Sequence, residues 1–149
     1  MKSQKGFTLI ELIVVVAIVG VLVTTAFPTY KIFRQRAIGS EVIVLMKQIL
    51  DAEIIYYLEE NQFFPPATPP GAPPVIAWVP IDAEPGHPAA NAIKQALNIA
   101  IPVGHHYDVM IMNTGNTVQV SITAPFPIFK NNTFVLAREL DQSGKIRPL

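Results

Sequence analysis

The chain has 149 residues, half of them apolar, with eleven basic and eleven acidic side chains and a formal net charge of zero. That length holds one membrane helix and one small globular domain, and without a basic run no specific nucleic-acid site is evident. No cysteine is present, so packing and hydrogen bonds alone must hold the domain.

Residues 1–6 form a short polar leader carrying Lys2 and Lys5. An apolar run follows over residues 7–27, with Glu11 as its one ionisable side chain. The run is long enough to cross a bilayer as a helix. A charge on a spanning helix costs roughly 2.5–3.5 kcal/mol on insertion scales, so Glu11 needs a partner or a purpose. A secretory signal would close a core of about 7–15 apolar residues with a small-residue cleavage site. Here the run is longer and passes through Val23-Thr24-Thr25-Ala26-Phe27 into Pro28 without one. Lys2 and Lys5 on one side face Lys31, Arg34 and Arg36 on the other, so charge leaves the orientation undecided.

Pro28 cannot bond the carbonyl of Thr24, and its ring crowds that turn. Gly20 and the β-branched Val21, Val23, Thr24 and Thr25 weaken the same stretch. The hydroxyls of Thr24 and Thr25, or neighbouring helices, are expected to meet the freed carbonyls.

Beyond the span, Val42, Leu45, Met46, Ile49, Ala52 and Tyr56 recur at the spacing of one helix face, with Glu41, Lys47, Gln48, Asp51 and Glu59 between them. The pattern predicts one helix over residues 8–58, about 75 Å long, apolar all round in its first half and amphipathic in its second. A hinge at Gly39 dividing it into two helices is the alternative.

Residues 63–74, FFPPATPPGAPP, read as a stiff proline-rich connector in extended polyproline II form. After a loop of undefined shape, residues 88–98 read as a short helix with proline in its first turn. Residues 105–112 and 117–123 alternate and flank Asn113-Thr114-Gly115-Asn116, predicting a β-hairpin. Residues 134–139 offer a third strand, and Asp141-Gln142-Ser143-Gly144 turns the chain into a last stretch at 145–147. The expected class is α+β: a long N-terminal helix packed on a small antiparallel sheet of three or four strands.

No catalytic constellation is visible, and no enzyme activity, cofactor or metal is expected. His105 and His106 with Asp108 are read as strand-end residues in solvent, because adjacent strand residues point to opposite faces. Asp141 and Ser143 are read as a plain turn rather than a calcium site. Tyr30, Phe33, Tyr56, Tyr57, Phe63 and Phe64 are assigned to core and interface packing.

Gly6, Phe7, Glu11, Gly20 and Pro28, at their spacing around a spanning run, resemble the class III signal and N-terminal helix of type IV pilins and pseudopilins. The match is specific over about the first thirty-six residues. The resemblance implies that a prepilin peptidase cuts between Gly6 and Phe7 and methylates Phe7, and that Glu11 is the family glutamate. It further implies a salt bridge between Glu11 and the Phe7 amine of a neighbouring subunit; a pair within one chain is the alternative, the two being four residues apart. Gly20 and Pro28 take the places of the family's helix-weakening glycine and proline, and the stretch between them is expected to be helical in the lone subunit and looser in a filament.

The domains expected are a leader at 1–6, a transmembrane and filament-core half at 7–28, an amphipathic half at 29–60 and a globular head at 61–149. Partners implied are further copies in a homo- or hetero-polymeric filament, the peptidase and methylase, the inner-membrane assembly machinery, and the bilayer before assembly. The implied location is the bacterial inner membrane with the head outside, then an extracellular pilus or periplasmic pseudopilus. The resulting reading is a structural subunit of a surface filament for adhesion, motility or DNA uptake. Alternatives are a pseudopilin of a type II secretion system or a membrane-anchored binding module. The lack of cysteine departs from the many pilins that close their C-terminal region with a disulfide, and the Asp-Pro-Trp loop of major pseudopilins is missing.

Overall fold

The structure is a computed structural model and describes residues 7–66, 73–128 and 133–149. It divides into two compact units, residues 1–35 and residues 36–149. One helix, α1 (Leu9–Glu60), supplies the regular structure of the first unit and opens the second. The expected hinge at Gly39 is absent, and the helix runs through it.

In the first unit the helix is apolar on every side and its side chains are exposed. It meets the length and hydropathy of a membrane span, with a mean hydropathy of 2.7 over its best window. Leaving so many large aliphatic side chains uncovered in water is unfavourable by about 25 cal/mol per Å² of apolar surface, so lipid or protein must surround this segment.

In the second unit the predicted face turns inward: Val42, Leu45, Met46 and Ile49 are buried, and Ala52 and Tyr56 lie at its margin. Ile38, Leu50 and the acidic Glu53 are buried beside them. Asn61, in a left-handed conformation, ends the helix by donating its N–H to the Tyr57 carbonyl. The chain then doubles back, and Phe63 packs on Tyr57 with ring centroids 4.6 Å apart while Phe64 meets Tyr56 edge-on at 6.0 Å. Residues 63–65 are buried, so the start of the proline-rich connector belongs to the core and is not a free spacer. Its middle, residues 67–72, lies outside the described residues.

The sheet has five strands in chain order, each antiparallel to the next: β1 (Val75–Val79), β2 (Asp108–Asn113), β3 (Thr117–Thr123), β4 (Val135–Asp141) and β5 (Ile146–Pro148). Strand β1, read from sequence as part of an undefined loop, pairs along its whole length with β2, Ala77 opposite Ile111 and Val79 opposite Val109. Prolines before and after VIAWV hid it, since they leave only a short run to read. The rest of the sheet follows the alternation, with Val109, Ile111, Val118, Val120, Ile122 and Leu140 buried against α1. Helix α2 (Pro88–Leu97) connects β1 to β2 and anchors itself in the core through Ile93 and Leu97.

The β2–β3 hairpin turns at Gly115, whose φ of 93° only glycine adopts without strain. Asn113 braces it by accepting the Gly115 N–H at 2.7 Å.

Candidate functional site

The one ionisable group of the apolar run sits at the N-terminus of α1. Thr8, just before the helix, donates both its backbone N–H (3.1 Å) and its hydroxyl (2.9 Å) to Oε2 of Glu11. The Glu11 N–H reaches back to the Thr8 hydroxyl oxygen at 3.4 Å. This is a capping box, a threonine and a glutamate three residues apart that answer each other's orphan N–H groups. The T-x-x-E pattern was present in the sequence as Thr8-Leu9-Ile10-Glu11 and supplies Glu11 with a purpose inside its own chain. The same placement sets a carboxylate at the positive end of the helix dipole.

Phe7 lies just outside the helix and is 73% exposed. Gly6, the expected cleavage partner, lies outside the described residues. In an uncut chain the Phe7 nitrogen is a peptide amide without charge. A Glu11–Phe7 ion pair therefore requires cleavage first. Both bonds that the carboxylate accepts fall on Oε2, and neither uses Oε1.

Gly20 and Pro28 both lie within continuous helix. A Cβ on Gly20 would meet nothing within 4 Å, so its lack of a side chain serves no contact in the lone chain. The threonine hydroxyls do not follow the expected pairing. Thr24 Oγ1 donates to the Val21 carbonyl at 2.8 Å, and Thr25 Oγ1 to that of Leu22 at 3.0 Å. Thr29 Oγ1 donates to the Thr25 carbonyl at 3.2 Å. The hydroxyls thus satisfy themselves on the turns beside Pro28, while the Thr24 carbonyl that proline strands gets none of them.

Elsewhere the residues singled out from sequence serve the fold. His105 is buried, contrary to the solvent position expected, with Nδ1 2.8 Å from the Pro102 carbonyl and its ring 5.2 Å from that of Tyr107. His106 is exposed, and Asp108 accepts the Ile81 N–H at 2.7 Å. Asp141 caps its own turn by accepting the N–H groups of Ser143 and Lys145 and pairs with Arg147. These bonds hold its carboxyl below the usual carboxylate range, the Ser143 hydroxyl contributing most. Among the described residues no cluster of three metal-ligating side chains occurs.

The family model described as the prokaryotic N-terminal methylation motif matches residues 1–27, which contain the whole capping site. Over 58 residues the chain is 51% identical to a type IV major pilin protein, PilE, of Neisseria gonorrhoeae. Its first 27 residues carry this motif, and part of the chain is similar to type IV pilins. Fimbrial proteins of Neisseria meningitidis serogroup B and Pseudomonas aeruginosa are 47% identical over 60 residues and 39% identical over 69. These alignments cover 39% to 46% of the chain and only 35% to 45% of each relative. No solved structure matches. The methylation motif takes in the start of the long helix, and these relatives are structural proteins rather than enzymes.

Proposed function

We propose that the chain is the precursor of a pilin-like subunit that is cut between Gly6 and Phe7, methylated at Phe7 and polymerised into a surface filament. The observation that carries this reading is the exposed apolar helix with a lone capped glutamate in its first turn, lying within the N-terminal methylation motif. A prepilin peptidase acts on the segment before α1. The helix half at residues 7–28 then anchors the subunit in the bacterial inner membrane with the head outside, and the assembly machinery draws it from the bilayer.

On assembly the apolar helices cover one another. Each new Phe7 ammonium needs a counter-charge once water and lipid headgroups are gone. Glu11 of a neighbour provides it, which sets the subunits in register, while Thr8 keeps the carboxylate at the helix end. Gly20 and Pro28 weaken the stretch between them, so that the core can extend without disturbing the head.

Intact-mass analysis of the protein from its own host tests the reading. The expected product starts at Phe7 and carries one methyl group, and it appears in the fraction sheared from cells. An unprocessed Met1, or a start elsewhere, overturns the processing step. A correctly processed chain that never leaves the envelope favours the pseudopilin role over the surface filament.

A further inference from the structure

Glu53 lies fully buried on the core-facing side of α1, a position where the periodicity calls for an apolar side chain. Its Oε2 accepts the backbone N–H of Phe64 at 3.0 Å, and its Oε1 is buried without a hydrogen-bond partner among the described residues. From the opposite side, Nδ2 of the buried Asn113 donates to the carbonyls of Phe63 (2.7 Å) and Pro65 (2.9 Å). One carboxyl on α1 and one carboxamide on β2 therefore grip three successive residues where the connector leaves the helix.

The surroundings give a carboxylate no help. The connector brings Phe63, Phe64 and Pro65, the sheet brings Asn113, and the other buried residues are apolar apart from His105, which packs on Tyr107. On its own helix the titratable groups that feel Glu53 are acidic: the Tyr56 phenol, itself also under the influence of Glu60. No cation forms an ion pair with Glu53 among the described residues. Burial pushes the Glu53 carboxyl up to about 8, with the Phe64 N–H opposing that rise only in part. A neutral carboxyl suits this buried site better than an ionised one, which has a single hydrogen-bond donor among the described residues.

We propose that Glu53 is a proton-operated latch on the helix–connector junction. Neutral, it keeps residues 63–65 seated between α1 and the sheet. As the medium becomes more alkaline, ionisation favours the open form, in which Glu53 and the Phe64 amide reach water and the start of the connector comes loose. The folded carboxyl titrates above its free value, so the hold is complete in acid. It declines from the ordinary carboxylate range up to about pH 8 and is weakest beyond that.

The test is hydrogen exchange at the Phe64 amide in the full-length protein in detergent micelles, corrected for the intrinsic base-catalysed rate. Protection should fall ~10-fold per pH unit between about pH 5 and about pH 8 and then level off. In Glu53→Gln, which cannot ionise, it should be flat. A flat profile in the parent protein, or an equal slope in Glu53→Gln, overturns the proposal. Carbon-13 titration of the Glu53 carboxyl in the unmutated chain decides the matter even if the variant fails to fold. A midpoint in the ordinary carboxylate range overturns the latch, and one near pH 8 supports it.

Discussion

Gly39 and Ile128 approach so closely that a Cβ on the glycine would lie 2.8 Å from the Ile128 carbonyl oxygen and 3.0 Å from its Cγ2. The glycine that from sequence suggested a hinge is a contact point, where the segment between β3 and β4 presses its backbone against the helix. The obstruction is a carbonyl held in the fold, with the Ile128 N–H bonded to the Thr133 carbonyl, so it cannot swing aside as a flexible side chain would.

Gly39→Ala should therefore destabilise the head although alanine is the better helix former. The propensity gain is about 1 kcal/mol, against a crowding cost of about 1–3 kcal/mol. A net loss of ~1 kcal/mol is expected, read as a lower midpoint in thermal unfolding of the full chain in micelles. Gly20→Ala is the control, with open space around the added methyl. It should leave that midpoint unchanged, and equal effects at both sites would contradict the close approach.

Two roles meet in Glu11, and substitutions can separate them. Glu11→Gln retains an oxygen for the Thr8 N–H and hydroxyl, because glutamine also serves in a capping box, but it carries no charge. Thr8→Ala removes the hydroxyl at a cost of ~1 kcal/mol to the helix start while keeping the charge. If the carboxylate pairs with a neighbour's amine, Glu11→Gln should be inserted and cleaved normally yet yield few sheared filaments, and Thr8→Ala should assemble better than it. Glu11→Ala, lacking both, should insert at least as well as the parent and form the fewest filaments. Normal filaments from both Glu11 variants would remove charge pairing as the basis of assembly.

Asn113→Ala would strand the buried carbonyls of Phe63 and Pro65 and the Gly115 N–H together. An orphaned buried group costs about 1–3 kcal/mol, so a loss of ~3 kcal/mol in unfolding free energy is expected. Asn113→Asp should be worse, since a carboxylate has no proton to give either carbonyl. A shift of less than ~0.5 kcal/mol, the size of an ordinary surface change, would mean that the connector seats itself without the asparagine.

The β4–β5 turn should respond to acid in the opposite sense to the Glu53 site. The Asp141 carboxyl is held below its free value, so its contribution is present above the ordinary carboxylate range and is lost as pH falls through the lowered value. Exchange protection of the Ser143 and Lys145 amides, both donors to Asp141 Oδ1, should drop at low pH. Asp141→Ala should show the low protection at every pH. Unchanged protection in the acid range would assign the turn to Gly144 and backbone bonding alone.

Much of the molecule was legible because the relevant forces act within a few residues. A run without charges, save Glu11, announces a segment for lipid or for other helices, whatever the rest does. The three-to-four spacing from Val42 to Ile49 and the alternation of Val118, Val120 and Ile122 are local records of one-sided burial, and both faces turn inward as read. Even the capping box is local, a threonine and a glutamate one turn apart.

Tertiary structure alone decided what depends on residues far apart in the chain. Strand β1 is short and bounded by prolines, and it becomes a strand because β2 supplies its hydrogen bonds across α2. Whether Gly39 bends or packs is settled by Ile128, 89 positions later. Glu53 acquires its partner only when the doubled-back chain covers it, and Asn113, read from sequence at the hairpin turn, also binds Phe63 and Pro65. A sequence pattern records which faces are apolar. Which buried polar groups are matched, and by whom, is fixed only when distant backbone closes over them.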